Sequence, residues 1–511
     1  MPAMQACHVS KRLPLLLFTI IAPAILSFAS NDVTAAAQSE GSDSVLFASD
    51  NGGAQKKQQT KPFLSAFFSK FNVSGYLRNE TAYRFDKPRT ITKIRNIAYI
   101  SANRFFGSRV KFTFSAWAYY DLAYDLINYD TIAARYVRDN NQPLVFLQDL
   151  PQQKDSPVAA IRELYFDIFL KNTDLRIGKQ FVIWGVLEGV RVIDVINPIN
   201  FRELILLPLL EYRVPLWTFK LDHYTPIGKF EFLWIPEAAH DIPAPRGSEW
   251  ELLQLPPNTR EQNRYGLRES EVGLKYNFQL LDTDLSLSYW YGWDPFPTIF
   301  RNVRLNSSQV PAFFPTFTRL TLYGGTFVKQ VGPVIVKGEL AYVPNKYFGI
   351  RSVDTNGDGY LDNNGAIKKK HIRWGLGVDF NLFGADISPS FVQWVILNYD
   401  DRIIQHHYNS NFNLFIRKVF PEQSAVFSLL LIRLIDEQGD MYMQPKVTYN
   451  ITDHFDVVLG LDLFYGKPSV FGPQSANGGV GIVNTQNFEQ AHFFGNFTNN
   501  NRIFANFTYT F

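Results

Sequence analysis

The chain has little of what defines several common protein classes. It contains a single cysteine, Cys7, among 511 residues, which excludes a disulfide scaffold and the usual thiolate zinc sites. Beyond residue 37 it has no apolar run of about 18 residues, which excludes a bundle of membrane-spanning helices. Charge is nearly balanced, with 50 Lys and Arg against 47 Asp and Glu, and this balance argues against a nucleic-acid partner.

Aromatic side chains, in contrast, are abundant. The 45 Phe, 25 Tyr and 9 Trp make up 15% of the chain, and hydrophobic residues reach 46%, too many for a disordered protein. Several aromatic residues cluster at the ends of apolar segments, as at residues 105–106 and 289–293. Such clusters are typical of the aromatic belts at membrane interfaces.

The first 37 residues have the order of a secretory signal peptide. Lys11 and Arg12 precede an apolar stretch, and small residues follow and end at Ala37. Cleavage after Ala37 fits the usual pattern, cleavage after Ala29 is an alternative, and a membrane anchor is the other interpretation of the segment. Residues 38–71 are interpreted as a flexible periplasmic leader, because most of them are Gln, Ser, Gly, Lys and other polar residues.

Beyond the leader, apolar and polar residues alternate with a period of two, the pattern of a strand with two unlike faces. In the last segment, for example, Ile503, Ala505, Phe507, Tyr509 and Phe511 share one face. A soluble sandwich or propeller gives this pattern when the apolar face lies in a core. A transmembrane barrel gives it when the apolar face meets lipid and the polar face lines a lumen.

Strand count and connection lengths favour the barrel. Short turns alternate with longer joins, and every short turn falls on the side that carries Phe511. Bacterial outer-membrane barrels have an even strand number, short periplasmic turns and long external loops. We therefore predict an all-β fold, an antiparallel transmembrane barrel of about 18 strands spanning residues 72–511 in the outer membrane of a Gram-negative bacterium. The candidate strands are 72–84, 93–103, 109–119, 158–170, 174–184, 216–224, 228–235, 269–279, 284–293, 319–329, 333–343, 371–381, 385–397, 411–420, 424–435, 439–450, 455–466 and 501–511.

The same alternation assigns charged residues to the lumen. A small excess of basic residues on the inward faces favours anionic solutes, because rings of lumenal charge set selectivity. The alternative is that these charges pair across strands and only keep the lumen polar. By parity, Arg162 falls on the lipid face toward the external end of its strand. The predicted pore-lining residues are Arg78, Arg109, Lys111, Asp167, Arg176, Glu339, Arg373 and Asp379.

One connection, residues 184–215, is too apolar for a solvated loop. An apolar loop must be buried, and the lumen is the nearest place to bury it. We predict that it folds inward and narrows the pore, with loop 120–157 as a second candidate for the constriction. The alternative is that it packs on the rim or between subunits. The charged residues that this constriction would present are Glu188, Arg191, Asp194, Arg202, Glu203 and Arg213.

The stretch RIGKQFVIWG from Arg176 to Gly185, followed by Asn197-Pro198, resembles a signature of a proteobacterial family of uncharacterised outer-membrane barrels. That family is itself similar to the alginate-export porins. The resemblance implies a monomeric barrel whose charged, loop-narrowed lumen passes organic solutes or lipids. It also implies Arg176 and Lys179 as pore residues, although parity turns Lys179 outward.

Residues 354–365, DTNGDGYLDNNG, resemble a calcium-binding loop in the spacing of their oxygen ligands. The twelfth position is Gly365 instead of a bidentate Glu, and strands instead of helices flank the loop. We expect a structural calcium ion bound weakly, at about 10⁻⁴–10⁻³ M; a polar turn without metal is the alternative. The predicted ligands are Asp354, Asn356, Asp358, the carbonyl of Tyr360, and Asp362.

The chain shows no nucleophile elbow, zinc-protease motif or phosphate-binding loop, so neither catalysis nor a required cofactor is predicted. The predicted function is passive or facilitated passage of a small organic solute, with anionic and lipidic solutes as candidate classes. The alternatives are a barrel scaffold or sheath of a multiprotein export or electron-transfer complex, and an outer-membrane hydrolase. Expected partners are outer-membrane lipid, the solute and a periplasmic or export protein, with the chain a monomer or a trimer.

Overall fold

The computed structural model describes residues 70–128, 131–132, 158–187, 189, 191–245, 248–250, 264–302, 312–351, 354–436, 439–467 and 493–511. The predicted signal peptide, 1–37, and nearly all of the leader, 38–71, lie outside these residues and stay predictions. Residues Val73–Thr510 form one compact unit. No helix in the described part of the chain is long and apolar enough to cross a membrane.

The described residues form twenty strands, two single-turn α-helices and three 3₁₀-helices. The α-helices are α1 (Ala123–Leu126) and α2 (Leu209–Tyr212), and the 3₁₀-helices are Asp362–Gly365, Pro421–Gln423 and Phe494–Asn500. The strands are β1 (Asn72–Arg84), β2 (Thr90–Phe106), β3 (Val110–Asp121), β4 (Val158–Phe169), β5 (Thr173–Gln180), β6 (Leu216–Thr225), β7 (Gly228–Ile235), β8 (Glu271–Leu280), β9 (Thr283–Trp293), β10 (Thr298–Asn302), β11 (Ala312–Thr316), β12 (Arg319–Val331), β13 (Val334–Gly349), β14 (Ala366–Leu382), β15 (Ala385–Ile396), β16 (Tyr408–Phe420), β17 (Ala425–Leu434), β18 (Met441–Asn450), β19 (Phe455–Tyr465) and β20 (Arg502–Thr510).

Eighteen of these strands close into a ring of antiparallel neighbours, and β10 and β11 form a separate hairpin. The ring closes where β1 pairs with β20, in register from Tyr76 opposite Thr510 to Arg84 opposite Arg502. Closure gives every strand two hydrogen-bonded neighbours, which is the condition for a sheet surrounded by hydrocarbon. The predicted all-β barrel and its strand number are confirmed.

The short connections lie on the side where β20 ends. Two of them are two-residue turns with both residues in the left-handed region, Leu281-Asp282 (φ 51° and 54°) and Phe383-Gly384 (φ 52° and 74°). Turns of this kind match the twist of the strands that they join. Three strands depart from their predicted bounds by four residues or more. β13 runs to Gly349 instead of residue 343, and β14 begins at Ala366 instead of residue 371, so this pair extends beyond the predicted wall. β5 stops at Gln180 instead of residue 184, because the chain leaves the wall there and turns into the lumen.

The two faces of the wall differ as the alternation predicts. On β13, Glu339 points into the lumen and is buried, whereas the next residue, Leu340, points outward and is 54% exposed. Leu376 on β14 and Leu459 on β19 are likewise outward and exposed. In a membrane this outward face is the surface that contacts lipid.

A β-bulge corrects the predicted position of Arg162. The register between β3 and β4 shifts between Ser115 and Ala116, which makes Arg162 an extra residue in β4. Its guanidinium lies 4.4 Å from the ring centre of Trp117, a buried residue of the lumenal face. The bulge therefore turns Arg162 away from lipid, because one extra residue exchanges the two faces of a strand.

Replacing Leu340 with Arg is expected to lower the free energy of unfolding by about 2–4 kcal/mol, because the side chain faces hydrocarbon near the middle of the wall. Urea unfolding in lipid vesicles measures this change. Phe383→Arg is the control, since Phe383 is 87% exposed in a turn and outside the membrane-spanning strands. Equal losses for the two variants would contradict the assignment of the outward face.

Candidate functional site

The connection between β5 and β6, residues 181–215, folds into the lumen, and we call it the crossing loop. Residues 188 and 190 of it lie outside the described part. Its first half packs against the inward side chains of Leu233 on β7, Trp290 on β9 and Leu322 on β12. The apolar residues of the loop that form this cluster are Val182, Trp184, Leu187, Val192, Ile193, Val195 and Ile196.

Glu339 on β13 fixes the backbone of the crossing loop. One carboxylate oxygen accepts hydrogen bonds from the backbone N–H groups of Val186 (2.5 Å) and Leu187 (2.7 Å), and the other accepts from Ile193 (3.1 Å). A buried loop leaves backbone donors that need acceptors, and a carboxylate is the strongest acceptor available. Glu339, predicted as a pore-lining charge, is thus occupied by the loop.

Trp184 ties the same part of the loop to the neighbouring wall. Its indole N–H donates to the carboxylate of Glu231 on β7 at 2.6 Å. Its carbonyl accepts from the ammonium group of Lys275 on β8 at 2.9 Å. Sequence reasoning missed this role of Trp184, although a tryptophan at the start of an apolar connection signals a buried anchor.

The second half of the crossing loop reaches the opposite wall. Glu203 forms ion pairs with Lys93 and Arg95 of β2. In α2, Glu211 binds Arg78 of β1 at 2.6 Å. Strands β2 and β13 are nine positions apart in the ring of eighteen, so the loop spans the lumen from one side to the other.

The other predicted charges of the loop mostly hold its own fold. Asp194 binds the guanidinium of Arg213 and accepts the backbone N–H of Trp184. Arg191 donates to the carbonyl groups of Asp194 and Asn197, the latter at 2.6 Å.

Arg202 donates to the hydroxyl of Tyr119 on β3 at 2.8 Å. Glu188 lies outside the described residues. Of the predicted loop charges in the described part, Arg191 is the one that lines the cavity beside the loop. The loop therefore narrows the lumen, but its charges act mainly as internal ties.

Several predicted pore charges form pairs on the lumenal wall. Arg176 on β5 binds Asp167 on β4 at 2.6 Å, and Lys337 on β13 binds Asp379 on β14 at 2.6 Å. Arg78 lies 2.9 Å from Glu80 in addition to its contact with the loop. These contacts agree with the alternative in which lumenal charges neutralise each other across strands.

Four residues expected in the pore have other surroundings. Arg109 lies in the exposed turn before β3, so it belongs to the rim and not to the lumenal wall. Lys111 lies over the ring of Phe105, 5.7 Å from its centre. Arg373 lines the lumenal cavity and is buried beside Trp394. Lys179 pairs in register with Leu164 and faces outward.

A cavity of about 940 Å³ lies between the crossing loop and the wall. The loop contributes apolar side chains to it, including Ile199, Leu206 and Tyr212, and the wall contributes Leu430 and Phe504. This volume lies in the range of sites for small organic molecules, about 300–1,000 Å³. The charged residues that also line it are Arg78, Glu80, Lys93, Arg191, Asp241, Asp294, Lys346, Arg373, Lys446, Asp456, Asp462 and Arg502.

A second aromatic cluster, which sequence reasoning missed, holds loop segments against β18 and β19. Trp250 packs on Phe464 and Phe497 at 5.9 and 5.8 Å between ring centres. Leu204 of the crossing loop joins this cluster. The signal was present in the sequence, since three Phe occur at 493, 494 and 497 in the long connection before the last strand.

In the predicted calcium loop, side-chain oxygens of the expected ligands already accept hydrogen bonds from the protein. Backbone N–H groups of the loop donate to Asp354 and Asp358, and Asp362 accepts from Thr355 and from Arg402 at 2.8 Å. The Thr355 hydrogen bonds, with help from Arg402, hold the pKa of Asp362 below its ordinary value. Among the described residues no group of three or more His, Cys, Asp or Glu is arranged to hold a metal. Calcium binding by Asp354, Asn356, Asp358, Tyr360 and Asp362 stays a prediction.

Comparisons with known proteins give a family and a set of distant structural relatives. Residues 32–510 match the family DUF1302, whose description is "protein of unknown function". No curated protein matches the chain. The similarity to alginate-export porins stays a prediction, since these comparisons do not bear on it.

Similar solved structures are outer-membrane proteins of low sequence identity. Acinetobacter baumannii OccAB2 is 11% identical with a TM-score of 0.45, covering 87% of this chain and 98% of that one. Pseudomonas aeruginosa OccK8 is 9% identical with a TM-score of 0.44, and P. aeruginosa OpdK with vanillate is 10% identical with a TM-score of 0.44; each covers 87% of this chain and 99% of its own. Likeness at this level says nothing about what this chain binds or transports.

Glu339→Gln is expected to loosen the crossing loop, because an amide has one acceptor oxygen where the carboxylate has two and carries no charge. Hydrogen bonds to charged groups contribute about 1.5–3 kcal/mol each. The loop should become more sensitive to protease, and single-channel current should become noisier. Asp379→Asn is the matched control, since Asp379 faces the lumen on the adjacent strand but binds Lys337 and not the loop. Identical behaviour of the two variants would count against the role of Glu339.

Asp241, in the connection between β7 and β8, is expected to make ion selectivity depend on pH. The pKa of Asp241 is raised to about 6, chiefly by burial and also by Asp294, against the opposing effects of the Ile199 N–H, Arg191 and Lys346. As pH falls through 6, the carboxylate takes up a proton and the cavity loses a negative charge. The preference for anions, measured as a reversal potential in a salt gradient, should therefore rise between pH 7 and pH 5.

Asp241→Asn should show the low-pH preference at both pH values, with no step near pH 6. Lower pH also stabilises the fold. The pKa of Asp241 in the folded chain is above the value of about 3.9 expected for an unfolded chain, so the folded state binds the proton more tightly and gains stability as pH falls through 6. A wild-type step that persists in Asp241→Asn would assign the titration to another group.

Proposed function

We propose that this chain, which belongs to the DUF1302 family of proteins of unknown function, is a channel that lets a small organic solute cross the outer membrane of a Gram-negative bacterium. Passage is by diffusion through the lumen, beside the crossing loop. Outer-membrane lipid surrounds the wall, and no step of bond making or breaking is part of the function.

The observation that carries this proposal is the crossing loop with the cavity beside it. The loop fills part of the lumen and is tied to both walls, through Glu339 on one side and Glu203 on the other. A cavity of about 940 Å³, the size of a site for a small organic molecule, lies beside it. A solute-sized space inside a closed barrel supports selective passage.

The same loop argues against the sheath alternative. A barrel that surrounds an inserted protein needs a free lumen, whereas here the chain's own residues lie across it from β13 to β2. A scaffold function outside the barrel, with a periplasmic or export partner, needs the external connections and has no specific observation in its favour. The hydrolase alternative has none either.

The lining of the cavity supports an organic solute over a simple ion. Apolar side chains from both loop and wall face the space, including Leu206, Pro208, Leu430 and Ile432. Such surface adds contact area for a molecule with an apolar part, a gain that a hydrated ion does not make.

Purified protein in planar lipid bilayers tests the proposal. We expect stepwise conductance in salt solution, and faster swelling of protein-containing vesicles in organic solutes than in sucrose. Vesicles prepared identically without protein are the control. A barrel that inserts but carries no current and passes no solute would contradict a channel and favour a scaffold; ester or peptide hydrolysis lost on one Ser or His substitution would favour an enzyme.

A further inference from the structure

We propose that Arg373 and Trp394 form a binding site for the head group of an amphipathic organic anion, whose apolar part lies along the apolar wall of the same cavity. The proposal rests on the channel function proposed above and names the class of solute that the channel takes. A medium-chain carboxylate is the simplest member of that class.

Arg373 differs from other buried cations of the lumen. Arg95, Arg502 and Lys337 each bind a carboxylate at 2.6 Å, namely that of Glu80, Asp462 and Asp379. Arg373 is only 9% exposed, its Nε is buried without a hydrogen-bond partner, and no described carboxylate lies within ion-pair distance of its guanidinium. A buried cation that lacks a close carboxylate is unfavourable, so this position favours an anion from outside the chain.

The immediate neighbours of Arg373 repeat the pattern of donors without acceptors. The ring of Trp394 lies 5.2 Å from the guanidinium, and its indole N–H is buried without an acceptor in the described residues. On the same strand, Nδ1 of His371 is also without a partner among the described residues, and it adds a donor in the tautomer that carries the ring proton there. Carboxylate oxygens are acceptors only, which makes them the complement of such a cluster.

Other charged side chains at this part of the cavity already have partners within the protein. Asp294 binds Lys346, and Arg191 donates to carbonyl groups of the crossing loop. Arg191, Lys346 and Arg373 line this part of the cavity together with Asp241 and Asp294, which gives three cations against two carboxylates when both are ionised. One excess charge fits a ligand with a single negative charge.

The apolar part of the ligand is indicated by the remainder of the cavity. Arg373 lies in the external half of β14, and the apolar lining continues from there along the crossing loop through Ile205, Leu206 and Leu207. Leu430, Ile432 and Val458 face it from β17 and β19. An inorganic anion leaves this surface in contact with water, whereas a fatty-acyl or polycyclic body covers it.

The experiment measures how decanoate reduces single-channel conductance in planar bilayers, with decan-1-ol and acetate as probes that each lack one half of the ligand. For the wild type we expect block by decanoate at concentrations where neither other probe acts. Arg373→Gln should weaken decanoate block about 10- to 100-fold, the effect of losing a hydrogen bond to a charged group. Trp394→Phe keeps the ring, loses the donor and should weaken block by a smaller factor.

Arg417→Gln is the matched control, because Arg417 also faces the lumen but lies near the turn end of β16, pairs with Asp386 at 3.8 Å and does not line the cavity. It should bind decanoate like the wild type, and heat-modified gel migration checks that each variant is folded. Unchanged decanoate block in Arg373→Gln would overturn the proposed site. Equal block by acetate and decanoate would overturn the amphipathic class of ligand. In both cases, conductance measured without any probe would still support the channel function, so the two proposals fail separately.

Discussion

An apolar segment can lie inside a polar lumen only when its backbone and its charges find partners on the wall. In this chain the requirement is met chiefly by lumenal carboxylates. Glu339 accepts three backbone N–H groups of the crossing loop, and Glu231 accepts the indole of Trp184. With these donors satisfied, the loop buries its Val, Ile and Leu side chains against the inward residues of β7 to β13, and the cavity beside it takes its size from that packing.

The period-two pattern predicts the wall well because each strand must satisfy two environments at once. β1 and β7 have the predicted bounds, 72–84 and 228–235. The pattern is less informative where one residue changes the register or the chain leaves the wall. Arg162 was misplaced because a bulge has no clear sequence signature. β5 ends early because Asn197 and Asp194, later in the same connection, accept the N–H groups of Val182 and Trp184, and the alternation of residues does not show such contacts.

The candidate site was predicted less completely than the wall, for a related reason. Parity tells which charges face the lumen, but not which of them meet. Arg176 and Arg373 are equivalent by parity, yet Arg176 has Asp167 beside it on the adjacent strand, whereas Arg373 lies opposite Ala341 and Trp394. Whether a lumenal charge acts on a solute or only on its neighbour is decided by strand register, which a single sequence does not contain.

The path of the crossing loop also has a mechanical consequence. A thin ring of strands flattens easily, since bending it costs little per strand. Here the crossing loop joins β13 to β2 on the opposite side of the ring and is held by charged contacts at each end. An oval distortion along the direction from β13 to β2 would stretch or compress the crossing loop. Lateral pressure from the surrounding bilayer should therefore leave the width of the lumen almost unchanged in that direction.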